Sequence, residues 1–204
     1  MSVEAIQDAS NTLITLLKTN IAELNDQNAI VASPVEVRDQ PDVRLTLYLY
    51  SIVENCELKN EEWLIVNHTQ SRKSPLSLDL YYLLTVYPAG IQAGGNFHDA
   101  NLESHRTLAR AMRVLYDNGI VAGSALLGSL RSSDPDQALR VTLNPITVED
   151  LTRIWSVFPE ASYRPSVCYL VSPVRIDSEE LTSTQRVVDR QLDHDSMVAT
   201  TEMP

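Results

Sequence analysis

Apolar residues at Val3, Ile6, Ala9, Leu13, Leu16 and Leu17 recur every three or four positions, with Asp8, Asn11 and Lys18 between them. That spacing predicts an amphipathic helix over residues 3–19 with one buried stripe. The polar stretch from Asn25 to Asn28 ends it, and Ile30, Val31, Val35 and Val37 then suggest extended chain broken by Pro34. Val43, Leu45, Leu47 and Leu49 alternate with Arg44, Thr46, Tyr48 and Tyr50, the two-residue period of a strand with one apolar and one mixed face. Glu54 to Asn60 is polar enough for a loop, and Trp63 to Val66 can return as the next strand before another polar stretch, His68 to Ser74.

The longest alternation runs from Leu76 to Tyr87, and its second half is apolar on both faces, which places this strand centrally in a sheet. Pro88 to Asn96 carries three glycines and reads as a loop. Leu102, Leu108, Ala109, Met112, Leu115 and Tyr116 resume helical spacing, ended by Asn118-Gly119. A second loop holds Ser132 to Asp136, and Leu139, Val141 and Leu143 form a short strand stopped by Pro145. Thr147 and Asp150 resemble a capping box before the stripe Leu151, Ile154, Trp155 and Phe158, a short amphipathic helix closed by Pro159. Val167, Tyr169 and Val171 give a last strand. The order is not a regular βαβ alternation, so the expected class is α+β: a mixed, largely antiparallel sheet with packed helices. Residues 1–177 form the expected domain, and residues 178–204, rich in Ser, Thr, Asp, Glu and Arg, a weakly structured polar arm.

Composition changes this picture in one respect. The 204 residues carry a net charge of -11, which repels phosphate backbones and anionic lipid, so neither nucleic acid nor a membrane surface is an expected partner. With an acid near the start and no run of about 18 apolar residues, neither a secretory signal nor a spanning helix is expected, and the protein is expected in the cytoplasm during assembly.

Candidate chemistry is sparse. Gly123 to Ser129 has the glycine spacing of a phosphate-binding loop, but no lysine stands between Gly128 and the hydroxyl to compensate phosphate charge. It also follows a helix end instead of joining strand to helix. Cys56 and Cys168 lie far apart and read as reduced, packed thiols. His68, His98, His105 and His194 include no i, i+4 pair, and Asp193-His194-Asp195 reads as a solvated face. No G-x-S-x-G elbow is present. No cofactor, metal or catalytic residue is expected; the rival is a small hydrolase or nucleotide-binding enzyme built on the glycine loop.

Four stretches together resemble the cap or tail-terminator family of extracellular contractile injection systems. They are Leu47 to Tyr50 leading to Glu54-Asn55 and Leu58-Lys59-Asn60; Pro75 to Tyr87; Leu151 to Trp155; and Tyr163 to Asp177. The resemblance implies a phage tail-terminator-like fold and a structural subunit that ends polymerisation of inner tube and sheath. It also implies a ring, expected to be a hexamer, with self, inner-tube and sheath subunits as partners. An adaptor to a membrane or cargo is the non-enzymatic alternative. Interface segments are then expected in Glu54 to Asn60, Pro88 to Asn101, Ser129 to Gln137 and the tail, which includes Val187-Val188. The candidate interface residues are Glu54, Asn55, Lys59, Asn60, Phe97, Arg131, Arg164, Arg175 and Arg186. Arg164 could fork onto a neighbour's carboxylate or pair within its own subunit.

Overall fold

A computed structural model describes residues 3–37, 40–59, 61–67, 69–88, 96–133 and 137–183. Asn60, His68, Arg186, Val187-Val188, Asp193-His194-Asp195 and most of the glycine-bearing loop after Pro88 lie outside the described residues.

The first helix, α1 (Ala5–Asn20), buries Ala5, Ala9, Leu13 and Leu17 along one stripe. Asp8, expected on the polar side, is also buried. Beyond α1 the Asn25 side chain accepts from the backbone N–H groups of Gln27 (2.8 Å) and Asn28 (3.1 Å), a turn that redirects the chain into β1 (Ala29–Val31). Strand β2 (Leu45–Glu54) follows, then β3 (Leu64–Asn67), β4 (Gln70–Arg72) and β5 (Leu76–Val86). Helix α2 (Phe97–Asp117) begins earlier than its apolar stripe suggests, because the Asn96 side chain caps it by accepting from His98 N–H at 2.9 Å. Phe97 to Asn101, expected within a loop segment, is therefore helical.

Strand β6 (Ile120–Ala122), a single 3-10 turn at Gly123–Ala125 and helix α3 (Ser129–Ser133) come next. The segment from Ser129, expected as loop, is therefore helical at its start. Strand β7 (Ala138–Leu143), α4 (Val148–Ser156), β8 (Ser166–Ile176) and β9 (Leu181–Ser183) complete the described chain. Thr147 caps α4 as its spacing predicts, accepting from Asp150 N–H at 3.1 Å and donating to its carboxylate at 2.8 Å.

Six strands form one sheet in the order β1-β2-β5-β8-β7-β6, antiparallel except for the parallel pair β1 and β2. β5 is internal, as its two apolar faces predict. On one face Leu45, Leu47, Leu80, Leu84 and Val171 meet α1 and α2 in the main core. On the other, Leu83 and Cys168 pack against Trp155 of α4, and Tyr48 meets Phe158 edge-on with ring centroids 5.5 Å apart. The α+β class with a mixed sheet holds.

The remaining strands form a separate ribbon in the order β3-β4-β9. Thus β3 does not return beside β2; it pairs with β4, which also takes up β9 beyond Asp177. The ribbon leaves the main sheet where Leu76 of β5 faces Ile176 of β8.

Candidate functional site

The glycine-spaced turn is filled from within. Gly123 and Gly128 adopt φ of 58° and 56°, the left-handed region that glycine enters without a Cβ clash. Asp8 of α1 reaches this turn, and its Oδ2 accepts both the backbone N–H and the hydroxyl of Ser129, each at 2.7 Å. Thr12, one turn further along α1, accepts from Leu127 N–H at 3.1 Å. A Cβ on Gly128 would lie 2.3 Å from Asp8 Oδ1, so the glycine is required by the carboxylate packed against it. A phosphate here would meet a fixed negative charge. The turn does link a strand, β6, to a helix, α3, contrary to the sequence reading, but Asp8 of α1 occupies the place an anion would need.

Around the root of the ribbon the structure brings together Glu54, Asn55, Lys59 and Arg175. Asn55 Oδ1 accepts from the N–H groups of Glu57 and Leu58, each at 3.0 Å, and closes the turn that follows β2. Its Nδ2 donates to Asp79 (2.8 Å) and to Ser172 (3.2 Å), and the Ser172 hydroxyl donates to Asp79 in turn. Asn55 is therefore tied inward, to β5 and β8. Lys59 Nζ lies 2.8 Å from Glu54, which raises the ammonium's pKa through that hydrogen bond and charge, and both groups face solvent. Arg175 of β8 lies 3.9 Å from Glu61.

The other described candidates, Phe97, Arg131 and Arg164, belong to other segments of the chain. Phe97 is exposed at the start of α2, and Arg131 is exposed in α3. Arg164 lines a cavity of about 230 Å³ with Pro34, Val37, Tyr87 and Glu160. It stands close enough to Tyr87 to oppose the upward push that burial gives that phenol.

Two apolar surfaces escaped the sequence reading. On the ribbon, Trp63, Leu64, Ile65, Val66 and Leu181 are exposed, Ile65 by 83%. Trp63 to Val66 read as the next strand of the sheet; Leu64 to Val66 are a strand, but one that pairs with β4 in the separate ribbon. The second surface is a groove of about 600 Å³ between the end of α2 and strands β7 and β8, lined by Met112, Leu115, Tyr116, Val141, Leu143 and Tyr169. Tyr116 at its rim is 86% exposed, and Arg113 stands beside it.

The Pvc16 N-terminal domain family matches residues 8–190. The chain belongs to this family. The match begins at Asp8 and runs past β9, so the Pvc16 N-terminal domain takes in the α1 contact with Ser129, the main sheet and the ribbon. Two solved structures share the fold. One is the sheath/tube terminator of an extracellular contractile injection system, PVC, in the extended state, with a TM-score of 0.57 and 16% identity. The other is the tube-terminating cap of the anti-feeding prophage, with a TM-score of 0.57 and 18% identity. The likeness covers 95% and 92% of this chain but 65% and 61% of those chains, so this chain spans less than two thirds of their length. No curated protein sequence matches it.

Within the Pvc16 N-terminal domain, the four resembling stretches fall on β2 with its following turn, on β5, on α4, and on β8 with its approach. These are the centre of the sheet and the helix that covers its second face. The apolar ribbon lies outside them, and the groove takes Tyr169 of β8 from them.

Proposed function

We propose that this chain is a structural terminator subunit that closes the end of tube and sheath in a contractile injection particle, opposite the baseplate. The observation that carries this reading is the likeness of nearly the whole chain to terminators of two particles, with 95% of it covered in one case. Several copies, six in the simplest case, form a ring on the last layer of tube and sheath. A ring of this kind presents one face complementary to the layer below and another that offers no site to the next, which ends growth. The work is done by contact surfaces and no bond is made or broken. The filled turn at Gly128 supports that, since an enzyme built on it would need room for an anion. Assembly takes place in the cytoplasm before the particle is released or anchored.

The candidate residues at the ribbon root, with Phe97, Arg131, Arg164 and the polar residues 178–204, supply contacts to neighbouring subunits. Removing residues 184–204 leaves β9 in place and is expected to lower recruitment to particles; unchanged recruitment would show that they form no arm.

The reading is tested by gold-labelling a tagged copy of the chain in purified particles and viewing them by electron microscopy. Label at one end alone, away from the baseplate, is expected. Label spread along the sheath, or missing from particles, would contradict it.

A further inference from the structure

The ribbon and the groove are related by position, shape and charge. They sit toward opposite ends of β8: the groove includes Tyr169, near its start, and the ribbon departs beside Ile176, its last residue. Seven residues of strand separate the two, about 23 Å at 3.3 Å per residue. The ribbon therefore cannot fold back into the groove of its own chain. Its apolar residues are exposed on both faces, with Leu64, Ile65 and Val66 at 42%, 83% and 53%. Such an edge ribbon is a standing liability unless something covers it.

Charge adds direction. Glu62, next to the apolar run, is exposed and makes no ion pair among the described residues. Arg113, beside Tyr116 in the groove wall, is likewise exposed and makes none. One chain thus carries a projecting apolar element flanked by an acid and a recessed apolar element flanked by a cation, neither of them ion-paired among the described residues. Two different, mutually complementary patches on one chain are what a head-to-tail contact uses, and such contacts close into a ring when the rotation between copies closes.

We propose that the β3-β4-β9 ribbon of one copy seats in the groove between α2 and β7 of the next copy, with Glu62 facing Arg113 across the contact. This rests on the ring reading and names its subunit interface. Each seat is small, but the contacts of a closed ring add, so modest individual seats suffice.

The test uses complete particles carrying Ile65→Cys and Tyr116→Cys together in a Cys56→Ser background, because Cys56 is exposed and would confuse cross-linking. Mild oxidation is expected to give a ladder of covalently joined copies that neither single-cysteine variant gives. In the same background Glu62→Arg and Arg113→Glu are each expected to lower ladder yield about tenfold, and together to restore it. Particles that carry the chain at their ends but give no ladder would overturn the interface and leave the terminator reading intact. So would Ile65→Cys joining a tube or sheath subunit instead. Absence of the chain from particle ends would overturn the terminator reading itself.

Discussion

Asp8 and Ser129, 121 residues apart, are joined by two hydrogen bonds of 2.7 Å to one carboxylate oxygen. Asp8 is 7% exposed, so its charge is held by these donors with little help from water. Asp8→Ala is expected to cost about 1.5 to 3 kcal/mol, the range for hydrogen bonds to a charged group. Gly128→Ala adds a backbone cost of about 1 to 2 kcal/mol for a left-handed residue, and a collision with the carboxylate. In an Asp8→Ala background only the backbone cost remains, so the two substitutions are strongly non-additive. Urea midpoints of the four proteins measure this; simple addition would refute the packing described here.

The alkaline limit of stability follows from buried phenols. Tyr82 lies in the main core 2.8 Å from the Ser10 hydroxyl, and burial pushes it from the usual 10 up to about 12. The folded value exceeds the unfolded one, so the neutral phenol favours the fold. That contribution is fully present below pH 10 and lost as pH rises through about 12. Tyr50, also pushed up to about 12, acts in the same window. Stability is expected to fall between these pH values, and less steeply in Tyr82→Phe, which itself costs about 1 kcal/mol at neutral pH. Identical alkaline profiles for the two proteins would count against this.

Asn55 holds the turn after β2. Asn55→Ala removes the acceptor of the Glu57 and Leu58 amides and the donor to Asp79, and is expected to cost about 1 to 2 kcal/mol. Hydrogen exchange should speed up at those two amides while that of Leu83, in the centre of β5, stays slow. Equal protection at Glu57 and Leu58 in both proteins would show that the side chain does not order the turn.

Leu83 is the fully buried centre of the second core cluster, beside Trp155. Leu83→Ala is expected to cost about 2 to 5 kcal/mol. The near-ultraviolet circular dichroism should weaken through Trp155, since Trp63 is already 44% exposed. An unaltered spectrum would place α4 elsewhere.

The legible part of the fold is the part with enough length to show a period. Leu76 to Val86 alternates for a full strand, and its second apolar face anticipates α4 on the far side. Thr147 and Asp150 disclosed the start of α4 because a cap is a local contact. Strands β1, β4, β6 and β9 have three residues each, too few for any alternation to register. The start of α2 was missed because Asn96, and not the apolar stripe, sets it.

The candidate surfaces were less legible for a different reason. Polarity led to Asn55, whose side chain turned out to bind inward, as polar residues in turns often do. Leu64 to Val66 read as the strand following β2 because sequence records apolarity and not the strand's partner, and pairing with β4 leaves them exposed. Asp8 looked like a solvent-facing helix residue, since its donor at Ser129 is set only by tertiary packing.

The most direct measurement of the central claim is the length and end structure of particles from cells lacking this chain, viewed by electron microscopy beside those from the parent. The account predicts loss of uniform length, with frayed or overgrown ends opposite the baseplate, corrected by restoring the chain. Particles of ordinary length with blunt, closed ends in its absence would contradict it.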